Sequence, residues 1–316
     1  MPPDLSWSGA GLVRPEERRY TMTGDMFDEE TLRAIDGSDD YRVLRRLELK
    51  EGHTGVGRRN GTSIGIVLDT ETTGIGDDDV IVELAMRRIR FDPDGVIVSI
   101  DKAYSWLEDP GRELPADVAK LTGITDAELV GKAIDDGEAM RLLRSAEFVC
   151  AHNARFDLGM LVRRLPDAAG LAWCCSCNDV DWRANGFDGN RSLGWLLSRI
   201  GLFHGAHRAV DDVDAVIALL GHDLPCGRTV LAEMLETARA PSWRFRAVGA
   251  AFEVKDRLKA RGYRWDGIAR EWWREVRDAD RVAEEWWLAG QVYAADAFPK
   301  KLGPIVERVT WNDRYV

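Results

Sequence analysis

Three stretches of the chain place carboxylates where a core-forming pattern calls for apolar side chains. The first is DTETTG, residues 69–74, which directly follows the apolar run 64–68. In a strand, alternation puts Val67, Asp69 and Glu71 on one face and Ile66 and Leu68 on the other. Two acids on one face repel each other and lose water together, an arrangement that a cation between them relieves. Taken alone, this stretch could equally be a strand end passing into a polar turn at Gly74 and Gly76. The second stretch is HNARFD, residues 152–157; on a helix, Asp157 shares the i, i+4, i+8 stripe of Leu161 and Leu165. The third is HRAVDD, residues 207–212, where Asp212 shares the stripe of Val216 and Leu220. A buried carboxylate without a partner is costly, so such residues normally have one. Singly, each helical acid could be a helix-start residue stabilised by the dipole. Together with the strand pair, Asp69, Glu71, Asp157 and Asp212 point to a shared metal site. Asp211 and Asp214 align with Ala215 and Ala218 and are expected to be solvated. His207, five residues before Asp212, joins the candidates because histidine can exchange a proton near neutrality.

The elements that must position these groups follow from periodicity and turn signals. Strands are expected at about 64–70, 80–91 and 96–107, the last two joined by the turn DPDG, which makes a three-strand meander. Helices are expected over 115–121, 126–131 and 137–145, and a short strand, 148–151, runs into a helix over 153–165. Further helices are expected at 191–200 and 210–220, so the fold class is α/β, a mixed sheet with helices on its faces. Residues 1–60 read as an extension and linker, 61–225 as the main domain, and 226–316 as a connecting helix, 229–239, with a small α+β domain. Seven of the 12 tryptophans lie beyond residue 240. There KDRLKARGYRW interleaves basic and aromatic residues, a pattern open to two readings. It suits gripping a nucleic-acid strand, but the adjacent WW pair, whose rings must point to opposite faces of a strand, favours a tryptophan core beneath a solvated charged face.

Composition narrows the class. With 45% hydrophobic and 31% charged residues, the 316-residue chain can bury a proper core. No run approaches the ~18 apolar residues of a membrane span, and the N-terminal stretch lacks a secretory pattern. Five cysteines, three of them in WCCSC at 173–177, fit a reduced cytoplasmic protein better than a disulfide framework or a zinc site. The net charge of −11 argues against bulk electrostatic binding of nucleic acid. It is unevenly spread, however: residues 240–316 carry +3 and the remainder −14.

DTETTG, HNARFD and HRAVDD resemble, in order and spacing, the three motifs of the DnaQ-like DEDDh exonucleases. That family includes the proofreading epsilon subunit of bacterial replicative DNA polymerase and related exoribonucleases. LTGIT, residues 121–125, resembles the family segment beside the substrate's 3′ end, and the likeness covers about 63–222. The resemblance implies an RNase H-like sheet, two divalent cations, and release of nucleoside monophosphates from the 3′ end of DNA. An exoribonuclease, or a polymerase-associated proofreading or tethering subunit, are the alternatives. Oxygen ligands suit Mg²⁺ or Mn²⁺. In this reading Asp69 bridges two cations roughly 3.5–4 Å apart, and Glu71 and Asp212 complete the site that activates water. Asp157 serves the second cation and His207 accepts the water's proton. Thr72, Thr73, Leu121, Thr122, Asn153 and Phe156 sit in the matching motifs and are expected to line the terminal nucleotide. The expected partners are nucleic acid and a replication or repair protein, with no membrane.

Overall fold

The structure is a computed structural model, and it describes residues 28–293 and 303–315. The chain divides into two units, residues 1–43 and 44–316. Residues 1–27 of the expected N-terminal extension lie outside the described residues. In the first unit, α1 (Glu29–Asp36) starts at Asp28, whose carboxylate accepts from the Thr31 N–H at 2.7 Å.

Among the described residues, the second unit holds two sheets of more than two strands. Short strands β1 (Arg45–Arg46) and β2 (Gly52–His53) precede the meander β3 (Ser63–Thr72), β4 (Ile81–Phe91) and β5 (Ile97–Leu107). Helices α2 (Ala116–Thr122), α3 (Asp126–Leu129) and α4 (Asp136–Leu143) lead to β6 (Phe148–Ala151), α5 (Ala154–Arg164) and β7 (Trp173–Cys175). Then come α6 (Leu193–Arg199), β8 (Leu202–Phe203), α7 (Ala209–Leu220) and α8 (Val230–Arg239). The main sheet runs β2-β5-β4-β3-β6-β7; its meander is antiparallel, and β6 and β7 add in parallel. The meander and the helices thus form as the periodicity predicts. Residues 44–60, read as linker, add β2 to the sheet edge and pair β1 with β8. The WCCSC stretch supplies an edge strand that its short length concealed.

Alternation along β3 separates two cores. Val67 faces the side covered by α6, α7 and α8, where Leu196, Val216 and Met234 are buried. Ile66 and Leu68 face the side covered by α4 and α5, with Leu142 and Leu161. Gly65 is required here, because a Cβ would overlap the Phe148 ring on the adjacent β6.

The rest of the unit is a four-stranded antiparallel sheet, β10-β11-β9-β12. It comprises β9 (Ser242–Arg246), α9 (Lys255–Arg261), β10 (Arg264–Asp266), β11 (Glu271–Arg277), α10 (Arg281–Leu288) and β12 (Ile305–Val309). Phe245, Leu258, Val276 and Leu288 form its core, with Trp243, Trp272 and Trp287 packed against it. Among the described residues, α8 and the segment after β12 join it to the main sheet. The α8 helix, which the sequence reading groups with the C-terminal part, buries Val230, Leu231 and Met234 in the main core. The carbonyl of Trp311 accepts from the N–H of Trp173, covering the β7 edge at 2.9 Å. Among the described residues, no helix is long and apolar enough to cross a membrane.

Candidate active site

The carboxylates collect at the C-terminal end of β3, a central strand flanked by β4 and β6. Asp69 and Glu71 project from one face of the strand. Asp212 comes from the first turn of α7, which packs across that face. One carboxylate oxygen from each of Asp69, Glu71 and Asp212 lies within 4.8 Å of the others. Asp157 falls outside that triplet but close by. Its Oδ1 accepts from the Thr70 N–H at 3.1 Å and the Thr70 hydroxyl at 2.9 Å. A sharp entry into α5 makes this possible: Asn153 adopts a left-handed φ of 77°, turning β6 into helix within two residues.

The electrostatics are those of a crowded acid cluster. Burial, then the charges of Asp157, Asp212 and Glu71, hold the Asp69 carboxyl well above its usual range. Burial and then Asp212 raise Glu71 to about 7. Asp157 is raised to about 7, by burial first, although its hydrogen bonds from Thr70 act the other way. Among the described residues no arginine or lysine forms an ion pair with Asp69, Glu71 or Asp157. An all-oxygen donor set without an internal counter-charge fits a hard divalent cation.

Two histidines meet Asp212 in different ways. The His207 main-chain N–H donates to Asp212 Oδ2 at 2.8 Å, with His207 at a left-handed φ of 71° and exposed. Its imidazole has no hydrogen bond among the described residues. The His204 ring, absent from the sequence reading, lies 2.8 Å from Asp212 Oδ1 through Nε2. Glu83 was also missed. It faces Glu71 across β3 and β4, is buried, and accepts from Arg208 Nε at 3.1 Å and the Ala209 N–H at 3.2 Å. It therefore clamps the start of α7 to the sheet. Its signal lay in VIVELAM, where Glu83 occupies the same strand face as Ala85 and Ile89. Asp214 is a correction: it is not simply solvated but bound by the buried Arg87, whose Nε is 2.6 Å from its Oδ1.

The expected substrate residues divide. The hydroxyl of Thr72 donates to the Gly74 carbonyl and that of Thr73 to Asp79, each at 2.7 Å, so both hold the loop after β3. Thr122 is buried and donates to the Val118 carbonyl at 3.0 Å. Phe156 packs against the core beneath α4 and α5. Leu121, 55% exposed, and Asn153 remain open to a ligand.

Acids gathered at the end of a central strand of a mixed sheet form a donor set suited to a divalent cation. A sequence model of the Exonuclease family (RNase_T) matches residues 66–220. DNA polymerase III subunit epsilon of Treponema pallidum is 33% identical over 169 residues, 48% of this chain and 72% of that one. The chain belongs to the DnaQ-like 3′–5′ exonuclease family. DNA polymerase III PolC-type of Bacillus subtilis is 36% identical over 100 residues, which span 30% of this chain and only 6% of that protein. Among solved structures, Exonuclease X in complex with 5′ overhanging duplex DNA aligns with 24% identity and a TM-score of 0.38, covering 55% of this chain and 92% of that one. E. coli Exonuclease I in complex with a dA16 oligonucleotide aligns with 19% identity and a TM-score of 0.46, covering 79% and 64% respectively.

Proposed function

We propose that the chain is a DEDDh-type exonuclease that hydrolyses DNA from its 3′ end and releases nucleoside monophosphates. The observation that carries this reading is the triplet Asp69, Glu71 and Asp212, with Asp157 beside it on α5. Two divalent cations, Mg²⁺ or Mn²⁺, held by these four acids would supply charge stabilisation at the phosphoryl group. His207 takes the proton of the attacking water as its oxygen bonds to phosphorus. The bond from phosphorus to the preceding O3′ breaks, and that oxygen takes a proton from solvent to become the new 3′ hydroxyl. Asp212 is held for this from two sides, by the His207 N–H and the His204 ring. Leu121 and Asn153 are open to contact the terminal nucleotide, while Thr72, Thr73, Thr122 and Phe156 shape the loops around it.

Degradation of 5′-labelled DNA and RNA, single- and double-stranded, with Mg²⁺ and with Mn²⁺, tests the reading. Stepwise shortening of DNA with resistance of a 3′-blocked strand is expected. Cutting of a closed circle would sink it, and preference for RNA would move it to the exoribonuclease alternative. A polymerase-associated role is the second reading, favoured by the names of the relatives above. Co-purification with a polymerase from the native host supports it.

A further inference from the structure

The four-stranded sheet carries its helices on one face. The opposite face borders a cleft of about 920 Å³ whose other wall includes Asn153 and Arg155. By register, Arg264 lies opposite Trp273, and Trp273 and Arg277 share a face of β11, so all three project from this second face into the cleft. Trp272, their neighbour, points the other way into the core. Arg155 stands in the first turn of α5, two residues before Asp157, and projects from the other side of that helix, while Asn153, at the turn that leads β6 into α5, also lines the cleft.

The charges lining the cleft are unequal in availability. Its acids are already engaged: Glu236 with Arg228 at 2.5 Å, Glu275 with Arg314 at 3.3 Å, and Asp179 with the Cys175 N–H at 2.8 Å. Asp278 accepts from Trp243 Nε1 at 2.6 Å, Glu233 from Asn185 at 2.9 Å, and Asp181 from the Ala184 N–H at 3.1 Å, neutral donors that fix these carboxylates in place without cancelling their charge. Arg155, Arg264 and Arg277 are exposed and have no side-chain hydrogen bond or ion pair among the described residues. The Asp266 carboxyl is held low first by the Ala269 and Ile268 N–H groups, and Arg155 adds only a small contribution through its field. Three unpaired guanidinium groups with an indole between them match a strand of phosphates and bases. Arginine binds phosphate through a fork of donors, and rings stack on bases of any sequence.

We infer that this cleft receives the nucleic-acid strand behind the 3′ terminal nucleotide, with phosphates at Arg155, Arg264 and Arg277 and a base against Trp273. The inference rests on the nuclease reading. It assigns the KDRLKARGYRW region a substrate-holding role through Arg264, which lines the cleft, while Tyr263 is buried and Arg261 pairs with Glu284.

The test is the double variant Arg264→Ala/Arg277→Ala, compared with wild type on 5′-fluorescein oligothymidylates of about 4 and about 16 nucleotides. Thermal denaturation confirms that the exposed substitutions leave the fold intact. For the long strand, KM should rise about tenfold while kcat changes little. The salt dependence of binding, read by fluorescence anisotropy, should lose about 0.7 in log–log slope for each phosphate contact removed. The short strand should be affected much less. Equal KM values and an unchanged salt slope in a folded double variant would overturn the inference. Wild-type hydrolysis of the p-nitrophenyl ester of thymidine 5′-monophosphate, which is too small to reach the cleft, tests the nuclease reading separately. Should wild type fail there and on both strands, the anisotropy comparison still decides the cleft.

Discussion

Asp69 is the residue on which the other acids bear most, and its raised pKa sets the pH behaviour of the metal-free protein. In the unfolded chain such carboxyls titrate near pH 4, whereas Glu71 and Asp157 titrate at about 7 in the fold. Between those values the native state binds more protons than the unfolded one, so stability falls as pH rises. Without metal, the melting temperature should drop from about pH 5 to about pH 7.5, and Mg²⁺ should raise it most at the upper end, where protons no longer compete. A flat profile would mean the acids are relieved by something other than protons or cations. Asp69→Asn should remove activity yet make the metal-free melting temperature fall less steeply as pH rises, since it deletes one of the carboxyls whose ionisation burial and its acidic neighbours oppose. The two histidines should separate in assay. His207→Ala should lower turnover by roughly 10²–10⁴-fold with Mn²⁺ affinity nearly unchanged, as befits a proton acceptor. His204→Ala should instead weaken Mn²⁺ binding, because its ring orients the Asp212 carboxylate. Calorimetric titration of Mn²⁺ beside steady-state kinetics distinguishes them.

At the level of elements, the site depends on how β3 meets β6 and how α7 meets β4. Gly65→Ala puts a methyl group into the Phe148 ring, and overpacking of this kind costs about 1–3 kcal/mol. Denaturant unfolding should show that loss, with activity falling because β6 delivers α5 and Asp157. Glu83→Ala strips the clamp from the start of α7 and leaves the buried Ala209 N–H without its acceptor. A cost of about 1–3 kcal/mol is expected, and Glu83→Gln should recover part of it. Equal stability of the two variants would show that charge on Glu83, rather than its acceptor geometry, holds α7.

For the whole molecule, the packing of α8 and of residues 303–315 bears on where the exonuclease domain ends. Arg314 donates to the carbonyls of Thr237 and Ala238 at 3.2 and 3.1 Å and pairs with Glu275 at 3.3 Å, joining α8 to the small sheet. The division at residue 225 therefore stands as a proposal with a direct test. A chain ended at 225 lacks the apolar face of α8 and should melt well below the full chain, or aggregate, while a chain ended after α8 recovers part of the loss. Should the 225 chain melt like the full protein, the division is a true domain boundary.

The acids, the meander and the main helices were legible in the sequence because each is written in local spacing. Period two marks β3, β4 and β5, and an acid on an apolar helical stripe marks Asp157 and Asp212. Gly65 is intelligible only once Phe148 is known to lie beside it. The same holds for Glu83, 125 residues from Arg208, for Arg87, 127 residues from Asp214, and for Trp311 against β7. Those partners meet through sheet order and helix packing, which no local pattern encodes. The direction in which Trp272 and Trp273 face follows from alternation alone. That one of them looks into a core and the other into a cleft was decided by the tertiary structure, which set the bare face of the small sheet opposite the start of α5.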